Sequence, residues 1–224
     1  MRSGILRQAA VSIIAVVIAT VALGFGYPLV VTGVSDVFFH SQANGSLIYA
    51  NGKLVGSSLL GQSFTDAKGN PLPRYFQPRP SEAGSGYDGI SSGASNLGPS
   101  NPVLVKDVAQ RAAAYRAFNH MALSAEVPVD AVTASASGLD PDISIQNALD
   151  QAPRVAQARH LSLPAVLAVL HQHTTPAEWG FLSEPVVNVL QLNLSLESFF
   201  PDHPAKSDPK IEGQEKRTRV DGLR

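Results

Sequence analysis

AAVSIIAVVIATVALGFGYPLVV, residues 9–31, decides how the rest of the chain is read. The run is almost wholly apolar, and no charged residue occurs from Gln8 to Ser35. A helix needs roughly 20 such residues to cross a bilayer. A cleaved signal peptide has a shorter apolar core, of about 7–15 residues, and ends in a small-x-small site. Only Thr20-Val21-Ala22 approaches such a site here, so the run reads as an uncleaved anchor. Arg2 and Arg7 precede it, and no lysine or arginine follows until Lys53. The positive-inside bias then places the N-terminus in the cytoplasm and the chain beyond Asp36 outside. Ser12, Ala15, Ala19, Ala22 and Gly26 recur at three and four residues and line one helical face. Small residues on one face let a neighbouring helix approach closely in lipid, although alanine is also simply common in such spans. Proline removes a helix hydrogen bond, and two glycines loosen the same turn. The helix is therefore expected to end near Gly24–Pro28, or to continue a turn or two beyond with a kink.

The whole chain has 224 residues and 44% hydrophobic residues, enough for one packed domain. Its net charge of −1 gives no basic surface for nucleic acid. It has no cysteine, which excludes disulfides, zinc–thiolate sites and thiol catalysis. The expected organisation is a cytoplasmic N-terminus (1–8), a transmembrane helix (9–31), an extracytoplasmic domain (36–199) and a charged tail (200–224). The tail is nearly free of large apolar residues and is expected to be disordered.

Within the outer part the pattern predicts an α/β arrangement: one mixed α+β domain with a β-hairpin, several helices and a C-terminal strand. Asn51-Gly52 between apolar runs predicts a hairpin of Ser46–Ala50 with Lys53–Gly56. Residues 66–101 are crowded with Gly, Pro, Ser and Asn. A structureless run this long is unusual in a compact domain. It is expected to be functional or held by partners, with Arg74, Tyr75, Phe76, Arg79 and Tyr87 able to pin it to a surface. A helix over Pro102–Leu123 follows, with Asn101 as N-cap and proline at its first position. A second Ser/Gly loop, Thr133–Ser144, leads into a helix near Ile145–Asp150. Ala152-Pro153 is expected to interrupt that helix before a further helical piece. Ser162 caps the next helix, and Pro185–Glu197 alternates as a strand with Asn188, Leu190, Leu192 and Leu194 on one face.

Chemical readings are restricted by what is missing. Neither Ser/Gly loop has the lysine of a phosphate-binding G-x-x-x-x-G-K-[ST] loop. Gly93-Ala94-Ser95-Asn96-Leu97 fails the G-x-S-x-G pattern at its last position. His171 and His173 point roughly 200° apart on a helix and cannot share one metal. His40, His120, His160 and His203 form no cluster. Polar residues among apolar ones remain. Ser92, Ser95, Asn96, Asn101, Ser135, Ser137, Asp140, Gln151 and Arg154 are candidates for contact with a partner or a nucleotide. Most such groups equally serve to tie loops to backbone, as do Thr133, Arg159, Asn188 and Asn193.

Several segments carry a family resemblance: GYPL (26–29), GSLI (45–48), VGSSLLGQSF (55–64), RYFQPRPS (74–81), SSGASNLGPSNP (91–102), VPVDAVTASASGLDPDIS (127–144), QAPRVAQAR (151–159) and VNVLQLNLSLE (187–197). Over roughly residues 8–198 the chain resembles the C subunit of the bacterial Kdp potassium-transporting P-type ATPase, the KdpC family. Glu82, Ala94, Ala131, Ala136 and Asp142 depart from the usual pattern. The resemblance implies a single-pass accessory subunit of the cell membrane. Its partners would be a K⁺-conducting A subunit, a phosphorylated P-type ATPase B subunit and a small F subunit. It further implies a role in assembly and in raising the ATP affinity of the B subunit. The chain lacks the D-K-T-G motif of such pumps, so it is not itself expected to be an enzyme or to bind a cofactor. ATP and magnesium would belong to the partner. The charge-based orientation argues against direct contact with ATP and favours an outer domain over the entrance of the K⁺-conducting subunit. The alternative is a membrane-anchored extracytoplasmic binding module unrelated to K⁺ transport.

Overall fold

The computed structural model describes residues 2–200. The chain divides into two compact units, residues 1–47 and 48–224. In the first, α1 (Arg2–Val21) runs through a π-helical turn, Ala22–Gly26, directly into α2 (Tyr27–Phe38). Gly4–Phe38 forms one apolar helix of 35 residues, with none of its most apolar window buried in the chain. At about 1.5 Å per residue it is long enough to cross a hydrocarbon core of roughly 30 Å. The helix neither stops nor needs to stop at Pro28. The π turn shifts the hydrogen-bond register, Tyr27 N–H donating to the Ala22 carbonyl, and delivers Pro28 to the first turn of α2. There its missing N–H forfeits one helical bond at the point where the π turn already shifts the i→i−4 ladder. A four-residue helix, α3 (His40–Ala43), follows.

The hairpin of β1 (Leu47–Ala50) and β2 (Lys53–Ser57) follows, all of it but Leu47 in the second unit. Asn51 and Gly52 take φ of 51° and 75° at its tip, as a type I′ turn requires. No helix or strand then forms until α4 (Pro102–Phe118). Asn101 caps α4, its side chain accepting from Val103 N–H at 2.9 Å. The helix stops at Phe118 rather than Leu123, because Asn119 closes it and His120 turns left-handed at φ 56°. A short α5 (Val129–Val132) leads to β3 (Asp142–Ser144), α6 (Ile145–Arg159), α7 (Leu163–Gln172), β4 (Thr174–Thr175), β5 (Val186–Asn188) and α8 (Val189–Phe199). The three short strands make an antiparallel sheet in the order β3-β5-β4, with Ile143 opposite Val187.

Two further expectations give way to the packing of the core. Pro153 does not interrupt a helix; α6 is continuous from Ile145 to Arg159 with Pro153 inside it. Proline in a helix interior forfeits one backbone bond, and burial of Ala148, Ala152, Val155 and Ala156 on both sides of it holds the helix together. The Pro185–Glu197 run is a strand only over Val186–Asn188. Asn188 then caps a helix, accepting from Gln191 N–H at 3.1 Å. Val189, Leu192, Asn193 and Leu196 are buried at helical spacing. That leucine-rich run fits both periods, and the core selected the helical one. The charged tail expected from Phe200 lies, from residue 201 on, outside the described residues.

One apolar cluster holds the unit. Ile143, Val155, Val166, Leu170, Val187, Leu192 and Leu196 meet in it, and Phe76 from the long irregular run is fully buried among them. Phe200 packs against its edge.

Candidate functional site

The irregular run is fastened into the chain by side chains instead of by a sheet. Five consecutive carbonyls, Pro73 to Gln77, each accept from one. Arg154 Nη1 donates to Pro73 O and, at 3.0 Å, to Tyr75 O. Arg159 Nε donates to Arg74 O at 2.7 Å. The Asn193 amide grips Phe76 from both sides, accepting from its N–H at 2.9 Å and donating to its C=O at 3.0 Å. Gln151 grips Gln77 in the same way, at 2.7 and 3.0 Å. Gln151 lies on α6 and Asn193 on α8, so residues 73–77 are bonded to both helices. Buried backbone groups need partners, and these amides supply the pairing a neighbouring strand would give.

Gln151 and Arg154 are thus spent internally. Gln151 also donates to Asn147 Oδ1 at 2.8 Å, and Asn147 donates to Asp130 Oδ2 at 2.9 Å. Arg154 is 3% exposed and has no carboxylate partner among the described residues. Its donors go to Asn119 Oδ1, Gln151 Oε1 and two backbone carbonyls, and its guanidinium lies 4.3 Å from the centre of the Phe118 ring. Burial pushes its pKa down to about 10, so it remains charged at neutral pH.

The two Ser/Gly loops come together. Gly93 N–H and Ser92 Oγ both donate to Ser137 O, at 3.0 and 2.9 Å. Gly138 is wedged between them at φ 68°, where a Cβ would lie 2.7 Å from Ala83 N and 2.8 Å from Gly93 O. Ser81 Oγ donates to Gly138 O at 2.6 Å. Arg79 forms an ion pair with Asp140 at 2.8 Å, and Tyr87 OH donates to Arg79 O. Glu82, one of the departures from the family pattern, pairs with Arg111 at 2.5 Å. Ser135, Ser137 and Asp140 line an open groove of about 560 Å³, together with Leu59, Leu60, Ala136, Leu139 and Pro141. Ser95 and Asn96 are exposed in the same loop segment as Ser92, and Asn96 takes φ 53°. Asn101 stands apart as the α4 cap.

The groove offers a phosphate few free donors. The backbone N–H groups of Gly138 and Leu139, which could have met an anion, are taken by Ser135 Oγ and Ser137 Oγ. Asp140 places a carboxylate at its wall, and burial with Asp140 nearby raises the pKa of Asp142. Among the described residues no group of histidines and carboxylates could hold a metal. Sequence reasoning singled out the two loops and the amide-bearing residues. It missed Gln77, Asn147 and Asp130, although Asn147, Gln151 and Arg154 recur at four and three residues and so mark a polar buried face.

Fold and site together define a class: one apolar helix of membrane-spanning length, followed by a small mixed α/β unit whose buried polar side chains serve its own loops. A family model described as K⁺-transporting ATPase, c chain (KdpC) matches residues 9–198. The chain is 50% identical over 191 residues to the potassium-transporting ATPase KdpC subunit of Mycobacterium tuberculosis (strain ATCC 25618 / H37Rv), covering 85% of this chain and 98% of that one. It is 52% identical over 181 residues to the subunit of that name from Acidobacterium capsulatum, covering 81% and 92%. The Rhodospirillum rubrum subunit is 50% identical over 182 residues, covering 81% and 91%. The chain belongs to the KdpC family.

Proposed function

We propose that this chain is an accessory, non-catalytic subunit of a high-affinity, ATP-driven K⁺ uptake complex. It holds together a K⁺-conducting A subunit and an ATP-hydrolysing B subunit, with a small F subunit in the same assembly. The match of residues 9–198 to the c-chain family carries this reading. The second unit lies outside the cell membrane, and its groove of Leu59, Leu60, Ser135, Ser137 and Asp140 faces the outer surface of the A subunit, with Ser92, Ser95 and Asn96 beside it. The stripe Ser12, Ala15, Ala19, Ala22 and Gly26 packs on a neighbouring helix in the bilayer. ATP and magnesium stay with the B subunit. Any gain in ATP affinity reaches it through the anchor or the A subunit, because a unit on the far side of the membrane cannot touch the nucleotide.

Orientation is the point on which this turns. The chain has no cysteine, so Ser92→Cys gives a single label site in an exposed loop. Labelling by an impermeant thiol reagent in intact, cell-wall-stripped cells is the expected result. Protection until the cells are lysed would place the loops inside and reopen direct nucleotide contact.

A further inference from the structure

The loop joining β4 to β5, residues 176–185, turns three apolar side chains outward at its tip. Trp179, Phe181 and Leu182 are 85%, 75% and 56% exposed. The tip is held by its own hydrogen bonds. Gly180 N–H donates to Ala177 O at 3.0 Å, Leu182 N–H to Glu178 O at 3.0 Å, and Glu178 N–H to Ser183 Oγ at 3.1 Å. Trp179 adopts φ 52°, a left-handed conformation that costs any residue with a Cβ. The loop therefore accepts strain while it displays an indole to solvent. A displayed apolar patch on an ordered loop is the mark of a contact surface.

What covers it follows from the rest of the chain. Residues 179–183 carry no charge, and Glu178 and Glu184 flank them. Tryptophan and other amphipathic aromatics concentrate at the headgroup level of membranes. The same chain carries a 35-residue apolar helix, Gly4–Phe38, and only the eight residues 39–46 separate it from β1. We propose that this loop is a second, interfacial membrane contact, with Trp179, Phe181 and Leu182 inserted at the headgroup–acyl boundary of the bilayer that the N-terminal helix crosses. The loop contains no lysine or arginine, so its insertion does not depend on anionic lipid. Glu178 and Glu184 remain on the water side.

Trp179 is the only tryptophan of the chain, so its fluorescence reports the loop alone. The test uses the full chain reconstituted in phosphatidylcholine vesicles, which add no other protein, with plain or acyl-brominated lipid. The expected result is a blue-shifted emission that is mostly lost in brominated vesicles. In the Phe181→Ser/Leu182→Ser double variant, whose changes are at exposed positions, emission moves toward that of a water-exposed indole and bromolipid quenching falls away. An emission already at the water-exposed position, quenched by acrylamide and not by bromolipid, overturns the proposal. So does a blue shift without bromolipid quenching, which would place the indole in a protein pocket.

Discussion

Gln151 and Asn193 each replace one residue's worth of a β-ladder, and that gives them more weight than a surface amide. Gln151→Ala leaves the N–H and C=O of Gln77 unpaired and takes an acceptor from Arg154. An unsatisfied buried group costs about 1–3 kcal/mol, so a loss of about 2–4 kcal/mol is expected in urea unfolding of the full chain followed by circular dichroism. Gln151→Ala with unchanged stability would mean that the 73–77 run is fastened by something else. Tyr75 makes a pH prediction. Its hydroxyl donates to Glu197 at 2.6 Å. Burial, with Glu197 next in effect, raises its pKa to about 12 from the ordinary 10. The folded state thus keeps this proton where the unfolded chain loses it. Stability from Tyr75 is complete below pH 10 and is lost as pH rises toward 12. The stability advantage of the wild type over Tyr75→Phe should shrink across that interval, and a flat or growing advantage would contradict the bonded, buried phenol.

At the scale of elements, α6 is the piece whose continuity the packing decides. Pro153 leaves the Leu149 carbonyl without its helical donor. Pro153→Ala restores that bond and is expected to raise stability by up to about 3 kcal/mol; a marked loss of stability would indicate that the chain needs a break there. Much of the element list is legible from local chemistry. The Asn51-Gly52 turn, the Asn101 and Ser162 caps and the apolar N-terminal helix each rest on residues adjacent in sequence. Boundaries failed where local signals compete with burial. Pro153 is a correct local argument for a break, and the leucine-rich run after Asn188 a correct local argument for a strand. Both lost to apolar side chains that the core needed at helical spacing. The candidate site is legible in a similar way. The two Ser/Gly loops stand out by composition, but their closure over Gly138 depends on Ala83 and Gly93, about fifty residues away in sequence.

Assembly belongs to the scale of the whole molecule. Ala19→Leu or Ala22→Leu enlarges the small-residue stripe and is expected to reduce recovery of the A subunit with this chain in co-purification. Equal recovery would remove the stripe from the argument. The π turn lies between Ala22 and Gly26, so it rotates Gly26 relative to the rest of the line. A Gly26→Leu change should therefore perturb recovery less than Ala19→Leu. Loss of the chain should impair growth only when external K⁺ is scarce; normal growth there would favour a binding module outside K⁺ transport.

The sequence by itself determined the membrane-length helix, the order of most soluble elements and the family, because these follow from hydropathy, capping residues and motifs read along the chain. Tertiary structure alone decided where the irregular residues 58–101 go. They form no helix or strand of their own, so nothing local specifies their path. It is set by Arg154, Arg159, Gln151 and Asn193, which lie far along the chain on α6 and α8 and reach the 73–77 backbone only once the apolar core has brought those helices together.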